Sequence, residues 1–354
     1  MEIIVILIPI VAAIYVFREH NKKVVWWEYI ILILGSIILY LITKMAIIGI
    51  ITSDTEYLGG YITKTTYYEP WTELVTVIKT DEKGETYTVE EKEYHSEEYT
   101  YQTNISKKEK TCTRKEHEEL KHLFSTYPKF RELNRRSYDK DGDAYDYFWG
   151  GSNLTMRTIT EKHIYKNPMK GSNSIFKLTG KDKEKLYEYP KIKDKDQRVL
   201  IGRNNIIDQR LRILNARLGK EYQIRVFVLI FPGEYGVSIS EEQKRYWEGG
   251  NKNELVVCLG MRGDSVVWCN PFSWCDSPEI ETRIKGWYIE NPNFDLVSFC
   301  DYLEPLIKKY WVRKKFSDFN YITTEIPIWG YLIIFIITLI YVTLISNWIV
   351  HNKY

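Results

Sequence analysis

The chain has 354 residues, with 49 basic against 47 acidic side chains and a formal net charge of +2. That length accommodates one or two folded units plus membrane segments. The near-zero charge excludes the broad positive field with which a protein holds nucleic acid, so no nucleic-acid partner is expected. Tyrosine is abundant at 28 residues, which suits β-structure and membrane interfaces.

Residues 3–17, IIVILIPIVAAIYVF, and 29–43, YIILILGSIILYLIT, are almost wholly apolar, and 326–350, IPIWGYLIIFIITLIYVTLISNWIV, form a third run. At a rise of about 1.5 Å per residue, roughly 25 residues cross a hydrocarbon core of about 30 Å with some tilt. The first run is short and broken by Pro9, but a snorkelling Arg18 and a thinned bilayer let it span. The second extends from Trp26 to about Ile51, with Lys44 reaching for headgroups near its end. Trp26, Trp27, Tyr29, Trp329 and Trp348 sit at the segment ends, as an aromatic belt requires. Run one has no basic segment before it and no small-x-small cleavage site before Arg18, so an uncleaved helix is expected there.

Three transmembrane helices make the lipid bilayer the first expected partner. Arg18, Lys22 and Lys23 place the loop between the first two helices in the cytoplasm, which sends residues 53–325 to the far side. Arg313, Lys314 and Lys315 argue the other way, but long domains cross largely regardless of charge. An extracytoplasmic domain is therefore expected between two helices in residues 1–52 and a third in 326–350.

Residues 53–198 read as a Tyr/Thr-rich β-region. GYITKTTYYEPW, ELVTVIKT and ETYTVEEKEY alternate in part, with DEKG as a hairpin turn, and EEYTYQTNI adds another strand. RKEHEELKHLFSTY predicts a helix stopped by Pro128, followed by the turn DKDGDAY and strands at 145–149 and 154–166. Residues 168–198 are polar throughout and predict loops.

Residues 199–320 change style. Ile206, Ile207, Leu211, Leu214 and Leu218 recur at helical spacing before Gly219. A buried strand, YQIRVFVLIF, follows, then a helix with Ser238 or Ser240 as N-cap of a capping box. NELVVCLG and DSVVWCNPFSW predict a hairpin, and Val226, Val228, Val256, Val257, Val266 and Trp268 are expected to be largely buried in the core of this α/β part. Ser277 with Pro278, and then Asp295, open two more helices, giving the order α-β-α-β-β-α-α of an α/β sandwich.

Within this part, LNARLGKEYQIRVFVLIF and YWEGGNKNELVVCLG each join a glycine-ended helix to a buried strand, the second through an asparagine-containing turn. They resemble the TPM domain over about residues 199–312, although Glu254 stands where that family usually has glycine. TKTTYYEPWTE and YWEGGNKN also look like segments of uncharacterised bacterial and phage membrane proteins. The TPM likeness implies a bacterial cell membrane and a tethered domain that meets a protein partner in assembly or maintenance of membrane or envelope complexes. It also implies a competing class, a metal-dependent phosphatase-like hydrolase.

Candidate chemistry is sparse. Asn251, Lys252 and Asn253 lie on the turn after the glycine pair Gly249–Gly250, which reads first as a corner and second as a ligand-binding rim. Asp139, Asp141, Asp143 and Asp146 alternate in a turn that would offer oxygens to calcium or another divalent cation, with Arg135 and Arg136 as the rival source of compensation. His117 and His122 are five apart, about 140° around a helix, so they cannot share a metal and read as part of a solvated face. Five cysteines include no CxxC pair; Cys258 and Cys269 read as small core residues. No nucleophile elbow or phosphate loop is present, and a non-catalytic role is expected.

Overall fold

The computed structural model describes residues 25–106, 108–124, 128–136, 143–150, 158–166, 183–190, 198–275, 277–315, 318 and 324–351, with positions 7, 10, 11, 13–15, 17 and 18. For 54, 130–136, 143–146, 161–166 and 350 the description is of the backbone. One compact unit comprises Tyr57–His163 and Asp182–Arg313; the other comprises Met1–Glu56, Ile164–Lys181 and Lys314–Tyr354.

The first helix, α1 (Trp26–Ile51), follows directly from its apolar composition. Glu28 accepts a hydrogen bond from the Val25 amide at 2.7 Å, satisfying a helix-start donor that has no intrahelical partner.

The long strand β1 (Ser53–Tyr68) follows α1 almost without a break. After it come β2 (Trp71–Thr80), β3 (Thr86–His95), β4 (Glu98–Thr103) and β5 (Lys110–Thr111), then α2 (Arg114–Lys121), β6 (Lys129–Arg136), β7 (Asp143–Gly150) and β8 (Thr158–Lys166). The main sheet runs β5-β4-β1-β7-β6, with β8 also paired to β1. β2 and β3 form a separate two-stranded ribbon, in register from Trp71↔His95 to Thr80↔Thr86. Its turn is the expected one: Asp81 Oδ1 accepts from the amides of Lys83 and Glu85, and Gly84 takes φ +84°. α2 starts at a capping box between Thr113 and Glu116 and ends at Lys121, short of Pro128. Residues 129–136, to which the sequence reading assigns no element, form β6 against β7.

The second half supplies β9 (Leu200–Ile201), α3 (Gln209–Leu218), β10 (Arg225–Pro232), α4 (Ser238–Tyr246), β11 (Glu254–Arg262), β12 (Ser265–Ser273), α5 (Pro278–Glu290) and α6 (Leu296–Tyr310). The expected order α-β-α-β-β-α-α is present. The sheet order is β12-β11-β10-β9, parallel from β9 to β11 and antiparallel at β12. Every residue from Arg225 to Phe231 and from Glu254 to Met261 is buried, the unbroken pattern of strands covered on both faces.

Three local expectations give way. α3 begins at Gln209 and leaves Ile207 exposed, because Arg198 donates to the carbonyls of Leu200, Arg203 and Ile206 and holds the preceding segment as a loop. No serine caps α4: Ser240 Oγ donates back to the Val237 carbonyl at 2.7 Å and accepts from Asn270. Trp268 is half-buried, while the five valines named with it are buried. Its indole lies across Gly260, its partner on β11, where a Cβ would stand 2.0 Å from Nε1.

Gly219 ends α3 with ordinary right-handed geometry, so conformational freedom is not its reason. A Cβ there would lie 2.1 Å from the Gly59 carbonyl oxygen, and one on Gly59 would lie 2.7 Å from the Asn215 backbone. β1 thus crosses the end of α3 backbone to backbone. Asn104 reinforces the crossing: its Oδ1 accepts from the Tyr61 amide at 2.7 Å and its Nδ2 donates to the Ala216 carbonyl at 3.4 Å.

The last helix, α7 (Ile328–His351), packs against α1. Among the described residues, these two helices are long and apolar enough to cross a membrane. The Tyr341 hydroxyl donates to the Ile31 carbonyl at 2.9 Å and fills the notch at Gly35, where a Cβ would be 1.8 Å away. Ser36 and Thr338 donate to carbonyls four residues back, so neither hydroxyl meets an apolar surround unbonded. The described positions of the first apolar run are helical, and Ile10, Ala13 and Phe17 cluster with Leu32, Val342 and Ile349.

Replacing Gly219 by alanine is expected to cost about 1–3 kcal/mol, since neither backbone at the crossing can retreat without losing hydrogen bonds. Gly286→Ala, in α5 with open space around it, should instead stabilise by about 0.5–1 kcal/mol. Denaturant unfolding of the two variants in detergent would show opposite signs.

Candidate functional site

The turn between α4 and β11 is built by backbone geometry that few residues tolerate. Glu248, Gly249 and Gly250 take φ of 52°, 82° and 77° in succession. Gly249 and Gly250 donate to the carbonyls of Lys244 and Trp247, closing off the helix. A Cβ on Gly249 would be 2.3 Å from Trp274 Nε1, which donates to the Glu248 carbonyl at 3.0 Å. A Cβ on Gly250 would be 2.9 Å from Glu254 Oε2. Glycine is required twice over, by φ and by space.

The three side chains named as a ligand rim are committed inward. Asn251 is half-buried: its amide nitrogen Nδ2 donates to the Tyr189 hydroxyl at 2.8 Å and to Glu254 Oε1 at 3.1 Å, while its backbone N–H donates to Glu254 Oε2 at 2.8 Å. Lys252 is 4% exposed, and its carbonyl accepts from the Cys275 thiol. Asn253 is fully buried; its carbonyl accepts from the Arg225 amide at 2.9 Å and its Nδ2 donates to the Tyr57 carbonyl at 3.5 Å. The turn is a corner.

What the corner encloses is a carboxyl and a guanidinium. Arg225 and Glu254 are the first residues of β10 and β11, in register with each other, and both are buried. Burial pushes the Glu254 carboxyl up, against the hydrogen bonds from Tyr189 and Asn251 and the positive charge of Arg225. Burial pulls the Arg225 guanidinium down in turn. That guanidinium lies 4.9 Å from the Phe227 ring and 6.0 Å from the Tyr57 ring, within cation–π range. Tyr189 packs edge-on against Trp247 at 5.0 Å and Phe227 at 6.3 Å. Beside Arg225 a cavity of about 10 Å³, bounded by Gly59, Thr160, Arg212 and Asn215, has room for about one water and no more.

Tyr187 and Tyr189, within a segment read as featureless loop, are part of this structure. Gln243 brackets the Tyr187 backbone, accepting from its amide at 2.9 Å and donating to its carbonyl at 3.0 Å, and Trp247 Nε1 donates to the same carbonyl at 2.7 Å. Only the aromatic residues in an otherwise charged stretch could have signalled this docking.

Of the acidic turn, Asp139 and Asp141 lie outside the described residues. Asp143 and Asp146 belong to β7, where their backbones face Arg136 and Arg131 on β6. The reading of His117 as part of a solvated face is corrected. His117 is 1% exposed, among the rings of Tyr67, Tyr99 and Trp149. The Thr65 hydroxyl donates to the Thr100 carbonyl at 2.9 Å, so His117 Nδ1 must donate to Thr65 Oγ1 at 2.8 Å. Burial pulls the imidazole below its ordinary range, assisted by Lys121. All five cysteines are free: Cys258, Cys275 and Cys300 are buried, and Cys112 and Cys269 half-buried.

No protein-family model matches the chain, and neither curated proteins nor solved structures provide a match.

Two outcomes follow. Glu254→Ala should destabilise by about 1–3 kcal/mol, since it leaves the buried donors of Asn251 and Tyr189 unmet; thermal melting would read this. A histidine pKa depressed by folding means the unfolded chain binds the extra proton. His117 therefore supports the fold fully above the ordinary histidine value of about 6.5, and that support is lost as pH falls toward the lower folded value. Melting temperature should drop over that acid window, and the drop should shrink in His117→Phe.

Proposed function

We propose that the chain is a membrane-anchored, non-catalytic interaction protein. It presents its β-region and α/β domain outside the cytoplasm to a protein partner in a membrane or envelope complex. The three-helix anchor and the outward topology belong to this proposal, resting on the apolar runs and the basic loop at 18–23. The TPM-like reading of 199–312 belongs to it as well, resting on the helix–glycine–strand joints.

The observation that carries the proposal is the β2–β3 ribbon. A two-stranded ribbon is marginal in water unless something covers it. This one has ten paired rungs and leaves Leu74, Ile78, Tyr87 and Tyr94 exposed, Ile78 and Tyr94 at about 70%. Such side chains on a regular strand pair suit a second protein surface. Among the described residues, the cavity beside Arg225 in the α/β part has room for about one water.

A photo-reactive cross-linker at position 78, in cells, should capture a membrane or envelope protein, whereas one at the equally exposed Ile289 should not. Equal yields from both positions, or none from 78, would refute the ribbon as the contact. The topology has its own check: protease added outside sealed right-side-out vesicles should cut within 53–325 and spare the loop 18–23.

A further inference from the structure

The ribbon brings three potential metal ligands onto one of its faces. Side chains alternate along a strand, so Trp71, Glu73, Val75 and Val77 share a face with their partners His95, Glu93, Glu91 and Val89. Glu73 and Glu93 are directly opposed, an arrangement of like charges that weakens a strand pair. His95, diagonal to Glu73, places Nε2 2.8 Å from Glu73 Oε1. One ligand atom each from Glu73, Glu93 and His95 lies within 4.8 Å of the others.

The imidazole is held for this geometry. Its ring stacks on Trp71 at 4.3 Å between centroids and 13° between planes, which restricts its rotation. Trp71 and His95 also line a cleft of about 570 Å³, together with Tyr68, Glu69 and Glu97. Glu73 and His95 are half-buried and Glu93 is exposed, so the three ligand atoms are reachable from solvent.

We infer that Glu73, Glu93 and His95 form a site for a divalent transition metal of zinc type. One imidazole nitrogen and two carboxylate oxygens suit zinc and its neighbours, whereas calcium and magnesium select oxygen alone. Ligands about 2.1 Å from a tetrahedral zinc stand about 3.4 Å apart, so modest carboxylate rotations close the site. Three protein ligands leave the fourth position to water. Binding neutralises the opposed carboxylates and ties β2, through Glu73, to β3, through Glu93 and His95.

The ordinary alternative is a His95–Glu73 ion pair, which has no use for Glu93. Zinc titration by calorimetry, on the full chain in detergent without a histidine tag, separates the two. The expected result is one zinc per chain at micromolar concentration, with affinity falling about tenfold or more in both Glu93→Gln and His95→Gln. His122→Gln, an exposed histidine elsewhere, should leave it unchanged. Amide hydrogen exchange in 71–80 and 86–95 should slow when zinc is added to the parent chain and not to the Glu93 variant. Absence of micromolar binding, binding indifferent to Glu93→Gln, or unchanged exchange in the ribbon would each overturn the site. Because each variant changes one ribbon side chain, unchanged melting without metal confirms that any loss is not unfolding.

Discussion

A carbonyl oxygen of β1 occupies the space that any side chain on Gly219 would need. That contact decides how the β-region meets the α/β part. It lets Asn104 reach the last turn of α3, and it sets Tyr57 within range of both Asn253 and Arg225. Without the crossing, the buried arginine would lose one wall of its aromatic surround and the start of β10 would face water. The two halves therefore fold as one unit, although their compositions differ.

The corner after α4 depends on the same arrangement. A buried carboxylate and a buried guanidinium are costly to desolvate and are tolerated only when hydrogen bonds and opposite charge surround them. Here Asn251 supplies a backbone and a side-chain donor, Tyr189 a hydroxyl, and the parallel register brings the charges to adjacent strand starts. The glycines before them exist to let the chain turn tightly enough for Asn251 to arrive. Polar residues that look like a rim in sequence are spent on holding a strand start.

The α/β half was largely legible because its signals are local. Period, glycine stops, Pro278 at the start of α5 and Asp295 capping α6 all act within a few residues. The misreadings share a different cause. His117 looks solvated beside five charged neighbours, and only the sheet at Thr65, Tyr99 and Trp149 buries it. Tyr187 and Tyr189 look like loop until Gln243 and Trp247, more than fifty residues on, meet them. The metal-ligand set was equally hidden, since Glu73 and His95 become neighbours only through hairpin register. For His117, Tyr187 and Tyr189 long-range pairing placed the residue; for the ribbon the hairpin was legible, but its register had to be followed residue by residue to bring Glu73 beside His95.

The cysteines leave the fold without a covalent clasp. Burial pushes the thiols of Cys269 and Cys300 up to about 12 and that of Cys258 well above its ordinary value, so none of the three offers a thiolate to an oxidant near neutrality. No bridge among the five holds the chain together. Packing, the backbone crossing and buried hydrogen bonds keep the structure closed, so a thiol reductant finds no cross-link in it to cleave.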